Sequence, residues 1–356
     1  MAQGTASPGP TPAPRLPGDL QTTRMLNAWI RILSAEQAVE LRVGKVELGQ
    51  GILTAVMQIC ADELDVDIER VRVVSGDTAL VPNEGVTAGS FSMPNCATAV
   101  QQASAEVRAI LLDLAAARMG QPAAGLRVQD GGIEGANGTR TSYWSLLVGE
   151  SLHREATGQV KPKAAALHRY IGRSMPRPDI AAKVLGEPIF VQDQRPAGMV
   201  FGQVVRPPSY GARLLAADTG AIQAMPGVLK VVRNGSFLGV VARREAQARA
   251  AAQQLERGCR WDVPRRLPAA DEMPDWLMKT PADRVIETHR QPRSNGVAVA
   301  RTLEASYFRP YQMHASIGPS AAIATLGADG MLLVQTHSQS VFETALAIAR
   351  MLGMPQ

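Results

Sequence analysis

Between Leu26 and Val46 apolar positions alternate loosely with polar ones, through AWIRIL and VELRV, and this predicts a strand pair. The period then changes. After Gly49-Gln50-Gly51 the apolar positions are Ile52, Ala55, Val56, Ile59, Cys60 and Leu64, spaced for one face of a helix. A strand therefore ends at a glycine turn and a helix begins there. The arrangement recurs, with a β-branched strand over 71–75, a loop over 76–89, and a long Ala-rich helix over 92–119. Ser92 is placed to cap that helix, Pro94 is tolerated in its first turn and Gly120 sits just past its end. Residues 126–150 read as a short hairpin and a turn of helix.

Outside these segments the pattern sets the domain expectations. Residues 1–18 hold five prolines and no apolar core, so 1–24 is expected to be a disordered Pro-rich tail and 25–150 the first domain segment. A composition shift marks 151–170 as a linker. Over 171–265 the strands MVFGQVVR, ARLLAAD, VLKVVR and FLGVVA alternate with helices near 219–225 and 244–255, a compact α+β module. A weak stretch over 266–300 reads as a second linker. Residues 301–356 carry strands at 302–307, 320–325 and 331–336 and an amphipathic helix at 341–352, and the run reads as interrupted in mid-architecture.

Composition narrows the classes. With 356 residues, 46% hydrophobic and 19% charged, the chain is globular and long enough for two or three domains of about 150 residues each. No apolar run approaches the roughly 18 residues that span a bilayer. A net charge of +5 with few aromatics lacks the basic and aromatic interleaving that nucleic-acid binding needs. Cys60, Cys96 and Cys259 are too few and too scattered for a disulfide framework or a zinc knuckle. Two [2Fe–2S] clusters would need about eight thiolates, so any iron–sulfur centres belong to another subunit or domain.

The chemistry concentrates at the two glycine-led helix openings. Glycine turns let backbone approach a ligand, and helix N-termini favour anions, so Gly49-Gln50-Gly51 and Gly89-Ser90-Phe91-Ser92 each resemble a phosphate cradle. Ser90 and Ser92 add hydroxyls and Gln50 an amide. A tight turn and a plain helix cap are the alternative. GQGILT lacks the third glycine of a dinucleotide fingerprint and is no Walker loop.

Several long runs carry a family resemblance. GKVELGQGILTAVMQICADELDV and SGDTALVPNEGVTAGSFSM are similar to the molybdopterin-binding segment of the xanthine dehydrogenase and aldehyde oxidase family. IGRSMPRPDIAAKVLGEPIFVQD resembles the entry to that family's a/b hammerhead domain, and EASYFRPYQMHASIGPSAAIA with VQTHSQS resembles the start of its first molybdenum-cofactor domain. The GQG segment precedes the hammerhead here, an order like that of the permuted branch of isoquinoline 1-oxidoreductase and nicotinate dehydrogenase large subunits.

The resemblance implies an α+β fold with a molybdopterin-binding segment, a hammerhead over 171–265 and the first part of a further cofactor domain over 301–356. It implies that Gly49, Gln50 and Gly51 touch the pterin or its phosphate, and that Gly89, Ser90, Phe91 and Ser92 hold the phosphate or nucleotide part. Gln339 matches the glutamine beside the metal's apical oxo ligand. The implied cofactor is molybdopterin, with a cytosine dinucleotide form left open, expected to be held without protein metal ligands, and iron–sulfur clusters are expected on a small partner subunit. The implied activity is oxidation of an N-heteroaromatic or aldehyde with water as the oxygen source. The family's glutamate base is expected outside this chain, which leaves the catalytic residue unknown. Glu187 in LGEP imitates its motif but reads as a surface residue, and His314 and His337 read as structural. The alternative is a non-catalytic assembly or interaction subunit, or one that needs a separate C-terminal half. A nucleotide-phosphate binder of another kind is a third reading. The expected location is the cytoplasm, with export beside a partner as the alternative.

Overall fold

The computed structural model describes residues 15–146, 152–264, 268–281, 287, 298, 300–312 and 318–356. The chain forms two compact units, Met1–Gln192 with Ala321–Gln356, and Asp193–Ser320. In the first unit β1 (Ile30–Leu33) pairs antiparallel with β2 (Ala38–Val43). The chain then passes through the glycine turn and α1 (Ile52–Leu64) to β3 (Val71–Ser75), which lies parallel to β2 with Val43 opposite Ser75. Parallel neighbours end at the same edge of the sheet. Both glycine loops therefore leave from the carboxyl ends of adjacent strands, the edge where sheets of this connectivity bind ligands.

Helix α1 buries Ile52, Val56, Ile59, Cys60 and Leu64 of the stripe its spacing predicts, with Ala55 half-buried at its edge. A wide π-type turn over Ser92–Ala97 leads into α2 (Thr98–Met119), which Gly120 ends at φ 63°. Ser92 makes no cap bond, in contrast to the expectation. Instead Asn95 N–H donates to Phe91 O at 2.9 Å, closing the wide turn around Pro94, which has no N–H to offer. A small sheet of β4 (Arg127–Gln129), β5 (Gly132–Glu134) and β6 (Arg140–Ser142) follows, with a turn of helix, α3 (Tyr143–Leu146). The core centres on Trp29, Leu41, Leu64, Val107, Leu111, Ile133 and Tyr143.

Two stretches without periodicity prove to be part of this unit. Within the stretch expected to be a tail, Leu16 and Leu20 are buried, and Trp29 Nε1 donates to Thr23 O at 2.8 Å. Two leucines are too sparse to make a pattern, yet each fills the core. The expected linker is a strap. Asp62, 1% exposed, accepts the amides of Arg169, Tyr170 and Ile171 at 2.7, 3.1 and 2.8 Å. Glu63 accepts the Lys163 amide at 3.0 Å, and Glu106 those of Thr157 and Gly158, both at 2.7 Å. Beyond the strap, α4 (Ile180–Leu185) is a short helix without a buried residue.

The second unit contains β7 (Phe201–Val205), β8 (Arg213–Ala216), α5 (Thr219–Gln223), β9 (Val228–Asn234), β10 (Phe237–Ala242), α6 (Glu245–Arg257), β11 (Arg260–Asp262) and α7 (Met273–Lys279). Strands β7, β10 and β9 form one antiparallel sheet and β11 pairs with β8. The Asp218 carboxylate caps α5 through the Ala221 amide at 3.1 Å. Ala251, Ala252 and Leu255 of α6 pack with Leu238 and Val240 of β10. The expected strand at 302–307 belongs to no ladder. Residues 301–312 are all exposed, and without a partner strand β-prone residues stay unpaired. The chain returns to the first unit as a hairpin, β12 (Ala322–Leu326) and β13 (Leu332–Thr336), and α8 (Val341–Leu352). Both units mix helix and sheet, an α+β fold. No helix among the described residues is long and apolar enough to cross a membrane.

Candidate functional site at the two glycine loops

The two loops are tied together where they leave the sheet. Gly44, immediately after β2, donates its N–H to Glu84 Oε2 at 2.5 Å, and the amide of Lys45 reaches the same oxygen at 3.3 Å. Lys45 Nζ donates to the carbonyls of Glu84 and Val86 at 2.5 and 3.2 Å. Val46 N–H donates to Thr87 Oγ1 at 3.0 Å, and Ser75 Oγ to Lys45 O at 2.7 Å. Lys45, Glu84 and Thr87 are buried. Buried polar groups at this density lock a backbone when each finds a partner.

In the first turn the helix N-terminus is already occupied. Gly49 and Gly51 take positive φ of 99° and 80°, and their amides both donate to Glu47 Oε1, at 2.8 and 2.9 Å. The chain's own carboxylate thus sits where the dipole of α1 favours an anion. Gln50 folds back on its turn, its Oε1 accepting Leu48 N–H at 2.5 Å and its Nε2 donating to Val46 O at 3.1 Å. Arg177 Nη1 donates to Gly49 O at 2.7 Å and Nη2 lies 3.6 Å from Glu47. Asp179, paired with Arg177 and then Lys183, is held well below the usual carboxylate range. Replacing Glu47 by alanine is expected to cost about 1–2 kcal/mol, as loss of a helix cap does. Urea unfolding measures the loss, and faster amide exchange at 49–53 locates it.

The second loop is open. Among the described residues the amides of Gly89, Ser90 and Ser92 and both serine hydroxyls make no hydrogen bond. Gly89 and Ser90 have positive φ, 65° and 60°. Leu48, Phe91 and Met93 stand about half exposed, at 51%, 57% and 51%, an apolar rim beside open donors. A Cβ at Gly49 would meet no atom within 4 Å, so there is room on the first turn's outer side. A phosphate-bearing ligand fits these residues.

Gln339 joins them from beyond β13. Its side-chain Nε2 donates to Thr87 O at 2.9 Å while its backbone carbonyl accepts Thr87 N–H at 2.7 Å. Thr87 therefore links the GQG turn, the serine loop and the glutamine expected from the resemblance. His337 is exposed, as is Glu187 behind α4, and His314 lies outside the described residues. The thiols are free, with burial pushing Cys60 up to about 12 and Cys96 well above its ordinary value. Sequence reasoning missed Lys45, Glu47, Glu84, Thr87 and Arg177. The only signal for the first four was position, in GKVELGQG and NEGVTAGS around the glycines, and for Arg177 its place in the run IGRSMPRPDI.

Residues 11–175 match the molybdopterin cofactor-binding domain. The chain belongs to the xanthine dehydrogenase family of molybdopterin-binding subunits. It is 37% identical over 307 residues to one subunit of the nicotinate dehydrogenase of Pseudomonas putida, a match covering 83% of this chain and 26% of that protein. It is 29% identical over 269 residues to the beta subunit of isoquinoline 1-oxidoreductase of Brevundimonas diminuta, covering 64% of this chain and 34% of that one. The matches span about a quarter to a third of these relatives. Among solved structures, reconstituted CO dehydrogenase from Oligotropha carboxidovorans matches at 24% identity and a TM-score of 0.30, over 36% of this chain and 16% of that one.

Proposed function

We propose that the first unit holds the phosphate-bearing end of molybdopterin, and that the chain is the cofactor-binding part of a molybdenum hydroxylase of the permuted branch. The open amides and hydroxyls of Gly89, Ser90 and Ser92, set beside the Gln339 clasp on Thr87, carry this reading. These donors would hold the phosphate, or the extra phosphate of a cytosine dinucleotide form, while Phe91 flanks it. On the GQG turn the amides of Gly49 and Gly51 are taken by Glu47, so its contribution would be the open space on the outer side of Gly49, while Gln50 holds the turn's shape. Gln339, with one amide hydrogen on Thr87, would have its second to donate to an oxo group of the cofactor. When bound, the cofactor supplies the redox centre at which an N-heteroaromatic or aldehyde carbon gains an oxygen from water. The chain's own residues bind and orient it. The module from β7 to β11 in the second unit would be the hammerhead expected over 171–265, although 171–192 fall in the first unit, and electrons would leave to a separate iron–sulfur subunit. The base stands outside the residues assigned here.

The test is production of the full chain in a molybdopterin-synthesising host, with bound pterin measured by fluorescence after oxidation and molybdenum by mass spectrometry. Pterin should co-purify with the chain. Replacing Ser90 and Ser92 together by alanine removes two hydroxyl donors to a charged group and should lower retention at least about tenfold. A wild-type chain that carries no pterin, or a double variant that retains it equally, would overturn the assignment.

A further inference from the structure

Beneath the two loops lies a cluster that the cofactor reading does not use. Asp19, from the turn Gly18–Gln21, and Glu84, from the serine loop, each present a buried carboxylate oxygen, Oδ2 and Oε1, that makes no hydrogen bond among the described residues. Glu84's other oxygen is already taken by the amides of Gly44 and Lys45. The charged group nearest the pair is Lys45, whose Nζ lies 3.8 Å from Asp19 Oδ2 and spends its donors on the carbonyls of Glu84 and Val86. From the π-type turn the Cys96 thiol faces Glu84, buried and held protonated. Two carboxylates and one ammonium, with no other ion pair to either carboxylate among the described residues, leave a buried negative charge unpaired. Two carboxyl groups that both lack a donor are satisfied together if one proton lies between them.

We propose that Asp19 and Glu84 share a single proton, and that this pair is the positioning element that joins the GQG turn to the serine loop. Losing the proton puts two negative charges side by side. Glu84 is the hinge of the arrangement, because its carboxylate holds the Gly44 and Lys45 amides on one side while its backbone starts the Val86–Ser92 run on the other. Burial first, then the hydrogen bond with Asp19, pushes the Glu84 carboxyl up to about 7. The sign follows from that direction. The folded chain holds a proton that the unfolded chain releases near an ordinary carboxylate value, so the pair's contribution is complete at low pH. It is lost as pH rises through about 7.

The consequence for cofactor loading rests on the molybdopterin reading, but the proton pair and its effect on the loops do not, and the experiment reads the latter without any ligand. Amide chemical shifts of the full chain are followed from pH 5 to pH 8.5. The amides of Gly44 and Lys45 and those of Thr87 to Ser92 should titrate with one common midpoint near 7. Glu84→Gln keeps the acceptor for Gly44 and Lys45 and supplies a donor to Asp19, and should abolish that common titration while the chain stays folded. Asp19→Asn, which donates to an ionised Glu84, should do the same, and serves if the first variant fails to fold. Titration of Gly44 and Lys45 without the serine loop would remove the positioning role. Absence of any midpoint near 7, or its persistence in both variants, would remove the shared proton. A merely structural contact predicts no common midpoint.

Discussion

Asp62→Ala should destabilise the first unit by about 3–5 kcal/mol, a large fraction of a typical domain's stability. The carboxylate is 1% exposed and is the acceptor for three successive backbone amides, those of Arg169, Tyr170 and Ile171. Removing it leaves these donors without their partner in a partly buried groove, and an amide hydrogen bond to a charged acceptor contributes about 1.5–3 kcal/mol. The loss spreads along the strap, because Gln58 Nε2 donates to Tyr170 O at 2.6 Å and Tyr170 and Ile171 pack on the core. Asp62→Asn keeps one acceptor oxygen and should cost less than half as much. Chemical denaturation measures both, and limited proteolysis should cut the alanine variant first within 157–173. If Asp62→Ala unfolds at the wild-type midpoint, the strap is not held by this carboxylate.

The strap also shows where sequence reasoning stops. The bounds of α1 and β3, the end of α2 and the course of β7 to β10 follow from apolar spacing, because those elements are stabilised by the faces they bury. The strap and the segment at 15–24 are held instead by carboxylate–amide bonds and by isolated leucines, neither of which leaves a period. The same limit applied at the site. Gly49, Gly51, Gly89 and Ser92 were visible as helix openings, and Gln339 was visible through the family resemblance. That the first opening is filled by Glu47 and the second left open depends on where a side chain five residues before α1 turns, and spacing carries no such information. Charge counting likewise treats Lys45, Glu84 and Asp19 as ordinary surface residues, whereas folding places Lys45 and Glu84 under 10% exposed at the joint between the loops.

That joint is also where the smallest substitution should have the largest functional effect. A Cβ added at Gly44 would lie 2.3 Å from Pro82 O and 3.0 Å from Glu84 N, and both are backbone atoms that no side-chain rotation can move away. Gly44 does not have positive φ, so alanine is compatible with its conformation and the whole penalty comes from the close approach. Gly44→Ala must push the loop 82–87 away from β2, lengthening the bonds from Gly44 and Lys45 to Glu84 and from Val46 to Thr87. Overpacking of this kind costs about 3 kcal/mol when the obstacle is rigid, and the displaced Thr87 carries Gln339 and the serine loop with it. Pterin retention in the co-production assay should fall below detection while the second unit's secondary structure is unchanged. Gly120→Ala, at the end of α2 and outside the two loops, is the control. Its Cβ meets nothing within 4 Å, so only the positive φ of 63° is penalised, at about 1 kcal/mol. An equal loss in the two variants would mean that lowered stability, and not the contact between the two loops, sets pterin retention.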